Sequence, residues 1–166
     1  MSYHPSSHQK LQEYLLKFKY NTKLDYLGGG TDGDVWQTER DTAIKLFHRQ
    51  HGYLNERDTY LRLADFGIVE KIDHFWVPRM HHFDDQLWVV EMDVMQKPPY
   101  IIDFAKVKLN HPPDFSEDVL DAWEIQGQER FEHHWPEVKS LLRTLESYLI
   151  YYLDPQPGNI VFEDLQ

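Results

Sequence analysis

The spacing of apolar residues divides the chain into a strand-rich first part and a helix-rich second part. Four apolar residues recur at helical spacing near the start: Leu11, Tyr14, Leu15 and Phe18. They predict an amphipathic helix from Ser6 to Lys19. The period then changes, and short apolar runs between glycine and Asp-Gly turns predict strands over residues 24–27, 35–38 and 42–47.

The next part of the chain shows first helical spacing and then short apolar runs typical of strands. Helical spacing returns from Tyr53 to Ala64. Two apolar runs follow, at 78–83 and 87–93, and the acidic pair Asp84-Asp85 between them predicts a hairpin. The adjacent prolines at 98–99 then mark the best internal boundary.

Helical patterns dominate after that boundary. A short apolar run at 100–104 and a loop precede a helix predicted after Ser116. The clearest helix opens at Pro136, since proline suits a first helical turn, and its apolar face runs from Val138 to Tyr152. A final strand is predicted from Ile160 to Phe162. Together these elements predict an α+β fold.

Composition narrows the class of protein. The 166 residues fit one domain, and 17 basic against 28 acidic residues give a net charge of −11. Phosphate backbones need a basic face, so we expect no nucleic-acid partner. The chain has no cysteine, which excludes thiolate metal sites. No apolar run fits a signal peptide or a membrane span, so we expect no membrane partner and a cytoplasmic location.

The most specific motif is the glycine-rich segment from Leu27 to Val35. Gly28, Gly30, Gly33 and Val35 fit the pattern G-x-G-x-x-G-x-V. Glycines let backbone amides approach phosphate oxygens, although an ordinary Gly/Asp turn is the alternative. These glycines lie between two predicted strands, whereas a dinucleotide fingerprint needs a helix after them.

A lysine and a glutamate follow at useful positions. In the strand Thr42-Ala43-Ile44-Lys45, alternation places Ala43 and Lys45 on one face. A lysine in a pocket needs a carboxylate partner to stay charged. Glu56, early in the helix at 53–64, is the predicted partner; Asp58 is the fallback, and an exposed helix glutamate is the alternative.

Near the end stands Asp154-Pro155-Gln156-Pro157-Gly158-Asn159, between the long helix and the last strand. An Asp/Asn-Pro turn that satisfies local backbone is one interpretation. The other is a catalytic loop in which Asp154 accepts or orients a hydroxyl proton and Asn159 binds a metal ion.

Taken in order, these motifs resemble those of the protein-kinase-like superfamily: the glycine loop, the V-A-I-K strand and the catalytic loop H-R-D-x-x-x-x-N. The resemblance implies a β-rich N-lobe with a hinge over residues 1–95 and a reduced helical C-lobe over 96–166. It also implies ATP and Mg²⁺ as cofactors. Tyr152 and Leu153 replace the His and Arg of the loop, so control by a phosphorylated activation segment is not expected.

Residue roles follow from the resemblance. Lys45 reaches the α- and β-phosphates, Glu56 pairs with Lys45, Asp154 accepts or orients the substrate proton, and Asn159 binds magnesium. The residues implied at the nucleotide are Leu27, Gly28, Gly29, Gly30, Gly33, Val35, Ala43, Lys45, Glu91, Met92 and Asp93.

The D-F-G aspartate of the family lies well after the catalytic asparagine, whereas this sequence ends at Gln166; we interpret it as a shortened kinase. The string Ile101-Ile102-Asp103-Phe104-Ala105 reads like D-F-G but precedes the catalytic loop. We hypothesise that this strand pairs with 160–162 and delivers Asp103 to the metal. The alternative is that Asp103 caps an ordinary strand or helix end.

Other acidic and histidine residues receive plainer interpretations. Glu163 and Asp164 are interpreted as a solvated tail. Of the ten histidines, the neighbouring pairs at 81–82 and 133–134 are expected to point to different faces, so they are predicted to be surface residues and not metal ligands.

Two functions remain open at this point. One is a Mg²⁺-dependent phosphotransferase acting on a protein or small-molecule hydroxyl. The other is a pseudokinase that binds nucleotide or a partner without transfer, which the missing downstream D-F-G favours. A coincidental set of motifs on an α+β domain is the third interpretation. A shortened C-lobe would leave apolar surface uncovered, so a homodimer is also expected.

Overall fold

A computed structural model describes residues 5–21 and 23–164. Its helices are α1 (Pro5–Phe18), α2 (Gln50–Asp65), α3 (Glu117–Phe131) and α4 (Trp135–Ser147), with a 3₁₀ turn at Glu132–His134. Its strands are β1 (Asp25–Gly29), β2 (Gly33–Gln37), β3 (Thr42–Phe47), β4 (Lys71–Ile72), β5 (Phe75–Trp76), β6 (Met80–Asp84), β7 (Val89–Asp93), β8 (Tyr100–Ile101), β9 (Val107–Leu109), β10 (Ile150–Tyr152) and β11 (Ile160–Val161). None of the described helices is long and apolar enough to cross a membrane.

The first part of the chain forms an antiparallel sheet in the order β1-β2-β3-β7-β6. The second part carries α3, α4 and the two-stranded sheet β10-β9, and a four-stranded sheet in the order β11-β8-β5-β4 joins it to two short strands of the first part. The predicted α+β fold, with a strand-rich N-terminal part and a helical C-terminal part, is therefore confirmed.

Alternation along β3 divides the large sheet between two cores. Ile44 and Leu46 pack on one face with α1, in a cluster that includes Tyr14 and Leu15. Ala43 and Phe47 face the other way, into the main core. Lys45 has the parity of these inner residues, so the strand buries its ammonium group on the α2 side, as the alternation predicts.

The helix predicted to continue to Tyr152 is shorter in the structure. Helix α4 ends at Ser147, and Leu149 adopts the left-handed conformation at φ 59°. The chain can then turn into β10, which pairs antiparallel with β9. The prediction was wrong here because Ile150 and Tyr152 are both buried in the core, and this short β-strand happens to continue the helical spacing of α4.

The pairing hypothesised for the Asp103 segment is present. Strand β8 lies antiparallel to β11, with Ile101 opposite Ile160. The pairing continues past the strand, because the Ile102 amide donates to the Asn159 carbonyl at 2.8 Å. Asp103 and Asn159, far apart in the sequence, therefore lie on adjoining segments.

Candidate functional site

A cavity of about 710 Å³ lies between the β1–β2 hairpin and the C-terminal part of the chain. Separate segments line it: the glycine hairpin, β3, α2, the end of β7 with the residues after it, and the two adjoining segments around Asp103 and Asn159. The cavity therefore gathers the motifs singled out in the sequence. Among the described residues, its walls carry five carboxylates and two ammonium groups: Asp32, Glu56, Asp93, Asp103 and Asp154, with Lys45 and Lys106.

The glycine-rich segment forms the tip of the β1–β2 hairpin. The Gly30 amide donates to the Gly33 carbonyl at 3.0 Å and closes a tight turn over Thr31 and Asp32. Gly33 packs against β3, where an added Cβ would clash with the Leu46 carbonyl oxygen. Gly30 has open space in the direction of an added Cβ. The two glycines thus serve different purposes, since one allows close packing of strands and the other leaves room beside the cavity.

We predict opposite outcomes for alanine at these two glycines. Gly33→Ala should lower the free energy of unfolding by about 1–3 kcal/mol, because the backbone of β3 must move. Gly30→Ala should change it by less than about 0.5 kcal/mol. Urea unfolding of both variants checks this, and equal losses would contradict the difference in packing.

Lys45 binds the predicted glutamate and the hypothesised aspartate together. Its Nζ lies 2.6 Å from Glu56 Oε2 and 3.0 Å from Asp103 Oδ1. Glu56 is fully buried on α2. Burial disfavours the charged form of Lys45, but the two carboxylates outweigh it and raise its pKa above the ordinary value. Lys45 therefore remains a fixed cation on the cavity wall.

Of Lys45 and Glu56, Glu56 is the residue whose charged form is disfavoured by its surroundings. Its Oε1 is buried and, among the described residues, has no hydrogen-bond partner. Burial raises its pKa to about 7, although Lys45 pulls it down. A carboxylate so close to neutrality is sensitive to any change in its one partner.

We expect Glu56 to make stability depend on pH. Its folded pKa, about 7, lies above its ordinary value of 4.5, so the folded state takes up a proton more readily than the unfolded state. That contribution is complete below pH 4.5 and is lost as the pH rises through 7. Between pH 5 and 8, wild type should lose about 1–3 kcal/mol relative to Glu56→Gln. Urea unfolding of both proteins across this range is the check, and a constant difference would contradict it.

Asp103 is held at the cavity by its backbone. It adopts the left-handed conformation at φ 63°, which asparagine and aspartate tolerate better than most residues. The Tyr152 hydroxyl donates to the carbonyls of Ile102 and Asp103 at 2.8 and 3.1 Å. Burial raises the pKa of Tyr152 well above its ordinary value, so this phenol stays a donor. Asp103 Oδ1 also accepts from the Ala105 amide.

The loop after β10 places Asp154 and Asn159 side by side. Asn159 is buried, and its Nδ2 donates to the Asp154 carbonyl at 3.2 Å. The same nitrogen lies 3.5 Å from Asp154 Oδ2. Both residues line the cavity, across from the glycine hairpin. The loop between these two residues therefore places a carboxylate and an amide on the same wall of the cavity.

The chain is similar in structure to aminoglycoside phosphotransferases. A complex of APH(2")-IIa with streptomycin and ATP is 12% identical over 95% of this chain, with a TM-score of 0.45. The gentamicin complex of APH(2")-IIa is 12% identical over 95%, with a TM-score of 0.48. The ADP-bound aminoglycoside phosphotransferase APH(2'')-Ib is 17% identical over 90%, with a TM-score of 0.43.

The chain spans 41% to 43% of the length of these structures. A scan against protein-family models and a search of curated proteins found no match.

Lys106 is a cavity residue that sequence reasoning missed. Its Nζ lies 3.0 Å from Asp154 Oδ2 and 3.8 Å from Asp32 Oδ2, so it links the loop after β10 to the glycine hairpin. The hydrogen bond to Asp154 raises the pKa of Lys106, and the nearby acidic charges add to this effect. A lone lysine after Ala105 carries no sequence signal, because its neighbours come from other segments.

Glu91 is a predicted cavity residue that the structure places elsewhere. Strand alternation turns its side chain to the outer face of the sheet, under α1. There it accepts hydrogen bonds from Tyr14 at 2.8 Å, from Thr42 at 2.6 Å, and from Tyr20. The side chain of Glu91 therefore does not line the cavity, and the predicted contact with nucleotide near its backbone stays a prediction.

The cavity instead continues through the residues that follow Glu91. It is lined by Met92, Asp93, Val94 and Met95, of which the last two were not predicted. The remaining predicted residues all line the cavity: Leu27, Gly28, Gly29, Gly30, Gly33, Val35, Ala43, Lys45, Glu56, Asp103, Asp154 and Asn159.

Proposed function

We propose that this chain binds ATP with Mg²⁺ in the cavity and transfers the γ-phosphoryl group to a hydroxyl of a protein or small molecule. One observation carries the proposal. Lys45, Glu56, Asp103, Asp154 and Asn159 come from distant parts of the sequence and meet at a single cavity. Phosphoryl transfer needs this combination of a fixed cation, oxygen ligands and a proton acceptor.

The nucleotide would lie with its phosphates under the glycine hairpin. Lys45 supplies the charge for the α- and β-phosphates, and Glu56 aims it. The open space at Gly30 lets the hairpin backbone approach an oxygen. The base would rest between Ala43 and the strand end at Met92, whose neighbours Val94 and Met95 offer backbone groups for its edge. We place the base and the phosphates in this way because some of the lining residues are apolar and others are charged.

The residues present fit a magnesium ion. Mg²⁺ prefers carboxylate and carbonyl oxygens. Among the described residues, no hydrogen bond is donated to Asp103 Oδ2 or to Asn159 Oδ1, so each has an oxygen to offer. Five carboxylates against two lysines would repel a bare triphosphate, so a divalent cation must accompany it. When bound, the ion neutralises charge on the β- and γ-phosphates; Asp103 and Asn159 would hold it.

Asp154 is the proposed acceptor of the hydroxyl proton. Its side chain is partly exposed on the cavity wall, where an acceptor hydroxyl can reach it. Gln156 and Asn159 donate to the same oxygen, Oδ2, at 3.2 and 3.5 Å, which fixes the carboxylate plane. Lys106 donates to that oxygen too, and would turn to the transferred phosphate once nucleotide fills the cavity.

The Lys106 contact also favours a second candidate function. While Lys106 pairs with Asp154, its ammonium group occupies the carboxylate oxygen that an acceptor hydroxyl would approach. If the pair persists with nucleotide bound, the chain is a nucleotide-binding pseudokinase. Turnover distinguishes the two functions, because both include binding.

The test measures ADP formation from γ-labelled ATP, with label transferred to water or to the protein itself as the readout. We expect Mg²⁺-dependent turnover by wild type and a loss of about 10²- to 10⁴-fold in Asp154→Asn, with ATP affinity kept. ATP binding without turnover in wild type would instead support the pseudokinase. Turnover equal in wild type and Asp154→Asn would contradict the role of Asp154.

A further inference from the structure

Two histidines and a carboxylate converge on the surface outside the cavity. His133 and His134 lie in the 3₁₀ turn before α4, and Asp164 follows β11. His134 Nε2 is 2.7 Å from Asp164 Oδ1, and His133 Nε2 is 3.2 Å from Asp164 Oδ2. One ligand atom from each residue lies within 4.8 Å of the others.

This arrangement contradicts one prediction from the sequence. Neighbouring histidines were expected to point apart, as on a strand or an α-helix. In the 3₁₀ turn, which begins at Glu132 with φ 49°, the two rings instead lie with centroids 4.1 Å apart. Asp164 was interpreted as part of a solvated tail; it is exposed, as that interpretation expects, and it also contacts both rings.

We propose that His133, His134 and Asp164 form a binding site for Zn²⁺. Two imidazole nitrogens and one carboxylate oxygen are ligands that Zn²⁺ takes readily, and three protein ligands leave the fourth tetrahedral position to water. Mg²⁺ requires near-octahedral oxygen coordination, so it should bind poorly here. The site is thus chemically distinct from the proposed magnesium site of the cavity.

The surroundings of His134 support a ligand role. Its Nε2 donates to Asp164 Oδ1 and would exchange that hydrogen for a metal ion, which places the hydrogen of the neutral ring on Nδ1. Nδ1 faces Glu137 Oε2 at 3.8 Å, longer than a hydrogen bond, and Glu137 Oε1 is shared with His74. The ring also stacks on Phe162, with centroids 3.9 Å apart and planes at 15°. The ring of His134 is therefore held with its Nε2 toward Asp164, where an ion shared by the two side chains would lie.

A simpler alternative is a pair of metal-free ion pairs, in which protonated histidines bind Asp164. The hydrogen bond from His134 lowers the pKa of Asp164, which keeps this carboxylate charged in either case. The alternatives differ in what they bind. Ion pairs alone take up no metal, whereas a zinc site binds Zn²⁺ through all three side chains and weakens when one of them is removed.

The experiment titrates Zn²⁺ into the whole chain by calorimetry, at pH 7.5 and in excess Mg²⁺ to occupy the cavity. Four proteins are compared: wild type, His133→Ala, Asp164→Asn and the control His111→Ala, which removes an exposed histidine on the loop before α3. We expect one site in wild type and in the control, and at least about tenfold weaker binding in the other two.

Two further readouts keep the result interpretable. The midpoints of thermal unfolding in EDTA should agree among the four proteins, because the His133 and Asp164 side chains are 66% and 55% exposed. Co²⁺ in place of Zn²⁺ should give wild type a tetrahedral absorption spectrum that Asp164→Asn lacks. Equal Zn²⁺ affinity in wild type and Asp164→Asn, or no binding by wild type, would overturn the proposal.

Discussion

Replacing Lys45 by methionine is expected to lower the free energy of unfolding by about 3–5 kcal/mol at pH 8, because it leaves a buried carboxylate without its partner. Glu56 is fully buried, and its only hydrogen bond from the described residues comes from Lys45. At pH 5 the loss should be smaller, since Glu56, with a pKa of about 7, can take up a proton and become neutral. Urea unfolding at both pH values measures the two losses.

Two controls separate burial from charge. Lys106→Met removes a lysine of the same cavity whose side chain is 45% exposed, and should cost less than about 1 kcal/mol. The double variant Lys45→Met/Glu56→Leu removes both buried charges and should recover most of the stability lost in the single variant. A loss in Lys45→Met no larger than in Lys106→Met would contradict the buried pair.

Asp103→Asn is expected to remove the effect of Mg²⁺ on ATP affinity. We predict that wild type binds ATP about ten- to hundredfold more tightly with Mg²⁺ than without, and that the variant binds it equally weakly in both conditions. The physical reason is that an amide replaces the one carboxylate that the β8–β11 pairing holds beside Asn159. Calorimetric titration with ATP, with and without Mg²⁺, gives both affinities.

The matched control is Asp32→Asn. Asp32 is also a carboxylate of the cavity wall, but it lies on the glycine hairpin, where its side chain contacts Lys106 and Thr31. This variant should keep the dependence on Mg²⁺. If Asp32→Asn lost it and Asp103→Asn kept it, the assignment of the metal ligand would be wrong.

Local sequence patterns predicted the parts of the site that depend on one element and its neighbour. Alternation along β3 places Lys45 inward, and helical spacing places Glu56 toward it; neither depends on distant segments. The pairing of β8 with β11 was also predictable, although it joins segments far apart, because the strings before Asp103 and after Asn159 both read as short apolar strands.

The features that were missed depend on tertiary contacts. Lys106 belongs to the site because it contacts Asp154, 48 residues later, and the glycine hairpin, much earlier in the chain. Glu91 belongs to the outer face because α1 covers it, which the pattern of β7 alone does not reveal. The end of α4 depends on a left-handed Leu149 and on the pairing of β10 with β9.

The central claim, that the cavity binds ATP together with Mg²⁺, is tested most directly by the midpoint of thermal unfolding with ATP, with and without Mg²⁺. At about a hundred times its dissociation constant, a ligand adds roughly 2.7 kcal/mol to stability. For a chain of this length, that corresponds to a rise of about 5–10 °C. We predict this rise for wild type with Mg²⁺, and its loss in Lys45→Met. No rise in wild type at saturating ATP and Mg²⁺ would contradict nucleotide binding in the cavity.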